Sequence, residues 1–133
     1  MRKYQLASGK ILEFNLAGVE QALELYRAVL SECKNAGLDL NIVEANSWLD
    51  VISKNKEVIL NIASSALVME EIKNCCAKVL YDKKRFSMEI FEDEKARGDF
   101  FSIMIIVGIE NLRPFFPSLH TFLDAIINPF LKT

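Results

Sequence analysis

The sequence predicts a mostly α fold, a small helical domain with an N-terminal β-hairpin. Three stretches predict it. Residues 18–36 carry apolar side chains at helical spacing, Phe100 to Ile109 is apolar on nearly every side, and residues 3–15 alternate about a Ser8-Gly9 turn. The chain of 133 residues reads as a single domain, residues 1–133, with the hairpin over 3–15 and a helical bundle over 18–128. That length suffices to bury roughly two thirds of the unfolded surface.

In the hairpin, Tyr4 and Leu6 alternate with Lys3 and Gln5, and Leu12 and Phe14 alternate with Ile11 and Glu13. Glycine supplies the positive φ that a tight turn needs. A lone hairpin is marginal in water, so the Tyr4, Leu6, Leu12 and Phe14 face is expected to lie on helices.

The first helix is read over residues 18–36, with Val19, Ala22, Leu23, Tyr26, Val29, Leu30 and Cys33 on its apolar stripe. Gly37 follows, where a left-handed cap favours glycine. Leu38 to Ala45 fits either an extended connection or a helix start. Beyond Asn46 or Ser47, a second stripe runs through Trp48, Val51, Ile52, Ile59, Ile62 and Ala63, interrupted at Lys54-Asn55-Lys56. Trp48 reads as a packing residue. Ser64-Ser65 offers a cap for a further helix with Val68, Ile72, Cys75, Cys76 and Val79 inward. Tyr81 to Arg85 reads as a polar connection, and Phe86 to Phe91 alternates too briefly to separate strand from helix start.

Asp93, Glu94, Lys95 and Arg97 are expected to open the long apolar helix, with acids at its positive end. Phe100, Ile103, Met104 and Val107 fill one face of it, and Phe101, Ile105, Ile106 and Ile109 fill much of the rest. Such a helix must be buried on most sides. Pro114 ends it, because proline lacks the N–H and disfavours helix at the preceding residue. A last helix over residues 118–127 carries Leu119, Phe122, Leu123 and Ile126 and stops at Pro129.

Charge and composition narrow the function. The net charge is -2 with both signs interspersed, against a strong grip on nucleic-acid phosphates. Lys83-Lys84-Arg85, the compact basic cluster, reads as a solvated turn. The apolar run of Phe100 to Ile109 is about half a membrane span. An odd count of cysteines, Cys33, Cys75 and Cys76, without framework spacing fits a reduced, cytoplasmic setting.

Chemistry-bearing patterns are thin. His120 is the only histidine and reads as a partly exposed helix residue. Cys33, Cys75, Cys76 and His120 lack the short spacings that let one turn grip a metal, so neither a metal nor another cofactor is expected. Glu89, Glu92, Asp93 and Glu94 could offer paired carboxylates, with Glu92 or Asp93 as acid or base, but read first as a solvated helix start. Arg97 is expected to clamp that start through Glu94 or Asp93. No phosphate-binding or nucleophile-elbow motif is present, and no catalytic residue is assigned. A small apolar chain without such a site points to protein binding.

The order of features adds a family. The Ser8-Gly9-Lys10 hairpin is followed by a Glu-Gln-Ala-Leu-Glu-Leu-Tyr-Arg-Ala-Val-Leu helix. Later come Phe91-Glu92-Asp93, then Ala96-Arg97 with Asp99-Phe100, and then Asn111-Leu112-Arg113-Pro114-Phe115-Phe116. Along nearly its whole length the chain resembles the tail assembly chaperones of tailed phages and prophages of Gram-positive bacteria. The resemblance implies a non-enzymatic protein that binds the tape-measure protein and recruits tail-tube subunits during tail morphogenesis. It further implies work in the host cytoplasm, absence from the mature virion and possible homo-oligomers. In many such families a translational frameshift also yields a longer form.

Phe115, Phe116, Phe122 and Phe130 are the candidate client-binding anchors, since a groove or amphipathic helices can meet a helical client through aromatic side chains. Closing the core after the proline bend is their competing role. The alternative function is a small intracellular regulatory or antitoxin-like protein-binding domain, against which the acidic balance and missing basic recognition helix stand.

Overall fold

The computed structural model describes residues 2–35, 37, 61–117 and 120–132. Strand β1 (Arg2–Gln5) pairs antiparallel with β2 (Ile11–Phe14), with Tyr4 opposite Leu12. The turn closes through Gly9 at φ 92°, a left-handed conformation that glycine adopts without a Cβ clash. Leu12 and Phe14 are buried on one face of β2, while Ile11 on the other is exposed.

The sheet continues beyond the hairpin. Strand β3 (Leu80–Tyr81) pairs with β2, and β4 (Lys84–Arg85) pairs with β3, giving a four-stranded antiparallel sheet in the order β1-β2-β3-β4. This corrects the expected fold class. The hairpin is half of a larger sheet packed with helices, an α+β arrangement, and the supposed polar connection is its second hairpin. Two-residue strands carry no readable alternation, and Lys84 and Arg85 look like loop residues because both face solvent on an edge strand. Asp82 and Lys83 form the turn with φ 51° and 66°. Two consecutive positive φ angles match the right-handed strand twist. The Asp82 N–H donates to the Ile11 carbonyl at 3.0 Å, and the Asp82 carboxylate meets Lys10 at 3.2 Å.

Helix α1 (Val19–Asn35) lies close to its expected bounds, but its buried face is rotated. Leu25, absent from the expected stripe, is fully buried, whereas Val19 is 67% exposed. Residues 61–63 are helical, and Ile62 packs against the core. Leu38 to Ala45, Trp48, Val51, Ile52, Ile59 and the Lys54-Asn55-Lys56 interruption lie outside the described residues. Helix α2 (Ala66–Asn74) begins at Ser65, whose Oγ accepts the Val68 N–H at 3.2 Å. Val68, Ile72, Cys75, Cys76 and Val79 are all buried, the last three in the turn that leads into β3.

A 3-10 turn (Met88–Glu92) precedes the short helix α3 (Glu94–Arg97), capped by Asp93 through the Ala96 N–H at 3.1 Å. The long apolar helix α4 (Phe100–Leu112) starts separately, so the acidic segment does not open it. Asp99 occupies the cap position of α4 but gives its carboxylate to other elements, as described below. Along α4, Ile103, Met104, Ile106 and Val107 are buried, while Phe101 is 60% exposed, so the helix is not covered all round. The helix ends at Leu112, and Pro114 sits inside a following 3-10 turn (Arg113–Phe115), where its missing N–H costs nothing. Helix α5 (His120–Ile127) and a 3-10 turn (Asn128–Phe130) close the fold. Leu131 then bridges to Leu6, and the Lys132 N–H donates to the Gln5 carbonyl at 2.9 Å.

Helices α1, α2 and α4 pack on one another, and their apolar faces share one core with Leu6, Leu12, Phe14 and Tyr81 from the sheet. Among the described residues, no helix is long and apolar enough to cross a membrane.

Candidate functional site

Among the described residues, two polar clusters are set into this core, and the sequence pattern assigns neither. The first joins β1, α4 and α5. Glu110 and Arg113 lie one helical turn apart at the end of α4, and both side chains are buried. Glu110 Oε1 accepts from Arg113 Nη2 at 2.6 Å and Nε at 2.9 Å, a two-toothed arrangement. Glu110 Oε2 accepts from Arg2 Nη1 at 2.7 Å. Arg113 Nη2 also reaches Asp124 Oδ1 at 2.7 Å, and its Nη1 faces the His120 carbonyl and ring. Burial alone would lower the affinity of the Arg113 guanidinium for its proton. Hydrogen bonds and charges from Glu110 and Asp124 outweigh that and hold it above its ordinary range. Next to this pair, the Asn111 side chain accepts the Ala17 N–H and donates to the Val107 carbonyl, both at 2.9 Å.

The second cluster joins the first hairpin, β3 and the start of α4. Asp99 Oδ2 accepts from Tyr81 Oη at 2.6 Å and from Ser8 Oγ at 2.5 Å. Burial first, and the Asp99 carboxylate second, push the Tyr81 phenol well above its ordinary range. Tyr81 also belongs to an aromatic row that continues through Phe91 to Phe86 and Phe100, with centroids 5.2–5.8 Å apart. Among the described residues, no buried side-chain nitrogen or oxygen lacks a hydrogen bond. Both clusters therefore act first as ties between elements that are distant in sequence.

The expected anchors divide. Phe115 and Phe116 come together on Tyr26 of α1, with ring centroids at 5.5 and 5.7 Å, and both are half-buried. That contact gives them a packing role while leaving an outer edge to solvent. Phe130 is half-buried in the turn after α5, and the side chain of Phe122 lies outside the described residues. Arg97 does not clamp Glu94 or Asp93; its Nε donates to the Phe91 carbonyl at 2.9 Å, and its Nη2 is 3.5 Å from Glu92. Asp93 is engaged as the α3 cap. The three cysteines are buried and free, their thiols pushed up by burial to about 11 at Cys33 and Cys75 and about 12 at Cys76.

Beside the first cluster is a cleft of about 270 Å³, lined by Arg2, Phe14, Asn15, Leu16, Glu110, Arg113 and Pro114. Its walls come from β1, the end of β2 and the connection after it, the end of α4 and the 3-10 turn that follows. Leu16 is 52% exposed, and Val19, three residues on, is more exposed still. The one available signal in the sequence was Glu110 and Arg113 at i,i+3 spacing across the end of an otherwise apolar helix.

No family model, curated protein or solved structure matches the chain.

Proposed function

We propose that the chain is a non-enzymatic protein-binding module, a tail assembly chaperone of tailed phages and prophages of Gram-positive bacteria. It holds the tape-measure protein and tail-tube subunits in the host cytoplasm while the tail forms. The family reading rests on the resemblance at Ala96-Arg97…Asp99 and Asn111 to Phe116. What supports protein binding in the geometry is exposed apolar surface around the start of α1, with Val19 in solvent and Leu16 both exposed and lining the Pro114 cleft. Large apolar side chains kept at a surface next to a cleft favour a protein partner.

The test is co-expression of the tagged chain with a tape-measure protein and a tail-tube protein from a tailed phage of a Gram-positive host. The expected result is a soluble complex that co-purifies, with light scattering above the monomer mass for the chain alone. A strictly monomeric chain that captures neither protein would overturn the proposal.

A further inference from the structure

The cleft beside Glu110 and Arg113 has a shape and charge that specify an occupant. Its volume of about 270 Å³ falls just under the about 300 Å³ at which pockets begin to hold whole small molecules. It is sized for one large side chain. Phe14, Leu16 and Pro114 supply apolar wall, and Asn15 is already committed through its donation to the Lys78 carbonyl at 3.0 Å.

The polar side of the cleft is asymmetric. Arg113 is saturated, since its three nitrogens face Glu110, Asp124 and His120. Arg2 is not. Its Nη1 serves Tyr4 and Glu110, while its side chain is 57% exposed. Among the described residues its Nε and Nη2 protons have no acceptor, which leaves them for a second one. Arg2, Arg113 and Glu110 line the cleft, and with Asp124 on Arg113 the cluster's charges balance, so what the cleft offers an acceptor is the open edge of Arg2. A guanidinium held on one side by a buried carboxylate is pre-organised to take another on its free edge.

We infer that this cleft docks a protein segment presenting one large aliphatic or aromatic side chain next to a carboxylate, the side chain against Leu16 and Pro114 and the carboxylate on Arg2. This inference rests on the protein-binding reading above and names the chemistry of its partner. Self-association through the same cleft is the competing occupancy, and the test separates it.

The probe is N-acetyl-phenylalanine, which carries an aromatic ring and a carboxylate, with its primary amide as the uncharged control. Titrated into isotopically labelled protein, the acid shifts the backbone resonances of Asn15 and Leu16 and the Arg2 Nε–H. The amide binds about tenfold more weakly, the loss expected for one charged hydrogen bond. Leu16→Asp, at an exposed position, abolishes the shifts without unfolding the chain. Arg2→Gln removes the preference for acid over amide. Shifts that map elsewhere, persist in Leu16→Asp, or are the same for acid and amide overturn the inference. Concentration-dependent shifts at the cleft without probe also overturn it, because they assign the cleft to a second copy.

The same variants keep the two proposals distinguishable. If wild type captures the tape-measure protein and Leu16→Asp captures it equally, the cleft inference fails while the chaperone reading stands. If wild type binds the probe but captures neither tail protein, the chaperone reading fails and the cleft remains a docking site for another partner.

Discussion

The Glu110 carboxylate and the Arg113 guanidinium are buried together at 2.6 Å, and each also holds an exposed partner, Arg2 and Asp124 respectively. The outer partners can return to water; the inner two cannot. Removing Arg113 alone leaves the buried Glu110 carboxylate with its Oε1 bare and only the exposed Arg2 as ionic partner. Arg113→Met is expected to cost about 3 kcal/mol, whereas the double variant Glu110→Leu/Arg113→Met costs clearly less, because no buried charge is left behind. Urea unfolding of the four-member cycle checks this. A double variant as unstable as the sum of the singles would refute it.

Tyr81 and Ser8 both donate to Asp99. Asp99→Ala strands a buried phenol hydroxyl and is expected to cost about 2–3 kcal/mol, while Tyr81→Phe costs about 1 kcal/mol. In the Asp99→Ala background, Tyr81→Phe removes the stranded hydroxyl and should be neutral to stabilising. Denaturant melts of the cycle measure the coupling.

Gly108 lies inside α4, and a Cβ there would stand 3.2 Å from Ile72 Cδ1. Both residues are buried, so Ile72 has little room to yield. Gly108→Ala is expected to destabilise by about 1 kcal/mol despite the better helix propensity of alanine. Ile72→Val deletes the crowding methyl, and in its background Gly108→Ala should turn neutral or stabilising. Thermal unfolding of the two pairs decides it.

The raised thiols and the raised Tyr81 phenol set the alkaline behaviour. Each is favoured in its neutral form by folding, so its contribution is complete below its ordinary value, 9.0 for the thiols and 10.0 for the phenol. It is lost as pH rises through the folded values, about 11 for Cys33 and Cys75 and about 12 for Cys76. Stability should therefore hold level from pH 7 to 9 on account of these groups and fall steeply beyond it. In parallel, a disulfide reagent should modify the three cysteines slowly at pH 8 in the native chain and at once in denaturant. Fast native labelling would contradict their burial.

Local rules were enough wherever the deciding neighbours lie within a turn or two. The Ser65 cap, the inward set Val68, Ile72, Cys75, Cys76 and Val79, the Gly9 hairpin turn and the bounds of α1 were all legible, because hydrogen bonding and side-chain spacing along one element determine them. The rotation of α1 was not. Its apolar residues cover more than one face, and only contact with α2 and α4 selects Leu25 over Val19 for burial. The second hairpin was hidden for another reason. Leu80–Tyr81 is a strand only because β2 offers it an edge, and Lys84–Arg85 only because β3 does.

The candidate site shows the same division. The sequence marked Asn111 to Phe116 as distinctive and chose Phe115 and Phe116, which the fold seats on Tyr26, 89 and 90 positions earlier by residue number. It did not mark Arg2, which reaches Glu110 across 108 positions, or the 91-position contact of Ser8 with Asp99. Sequence determined the longer helices and which residue types line the core, but not the separate α3. Tertiary structure decided which charges are buried and which arginine keeps a free edge, because burial and pairing depend on neighbours that the chain brings together only when it closes.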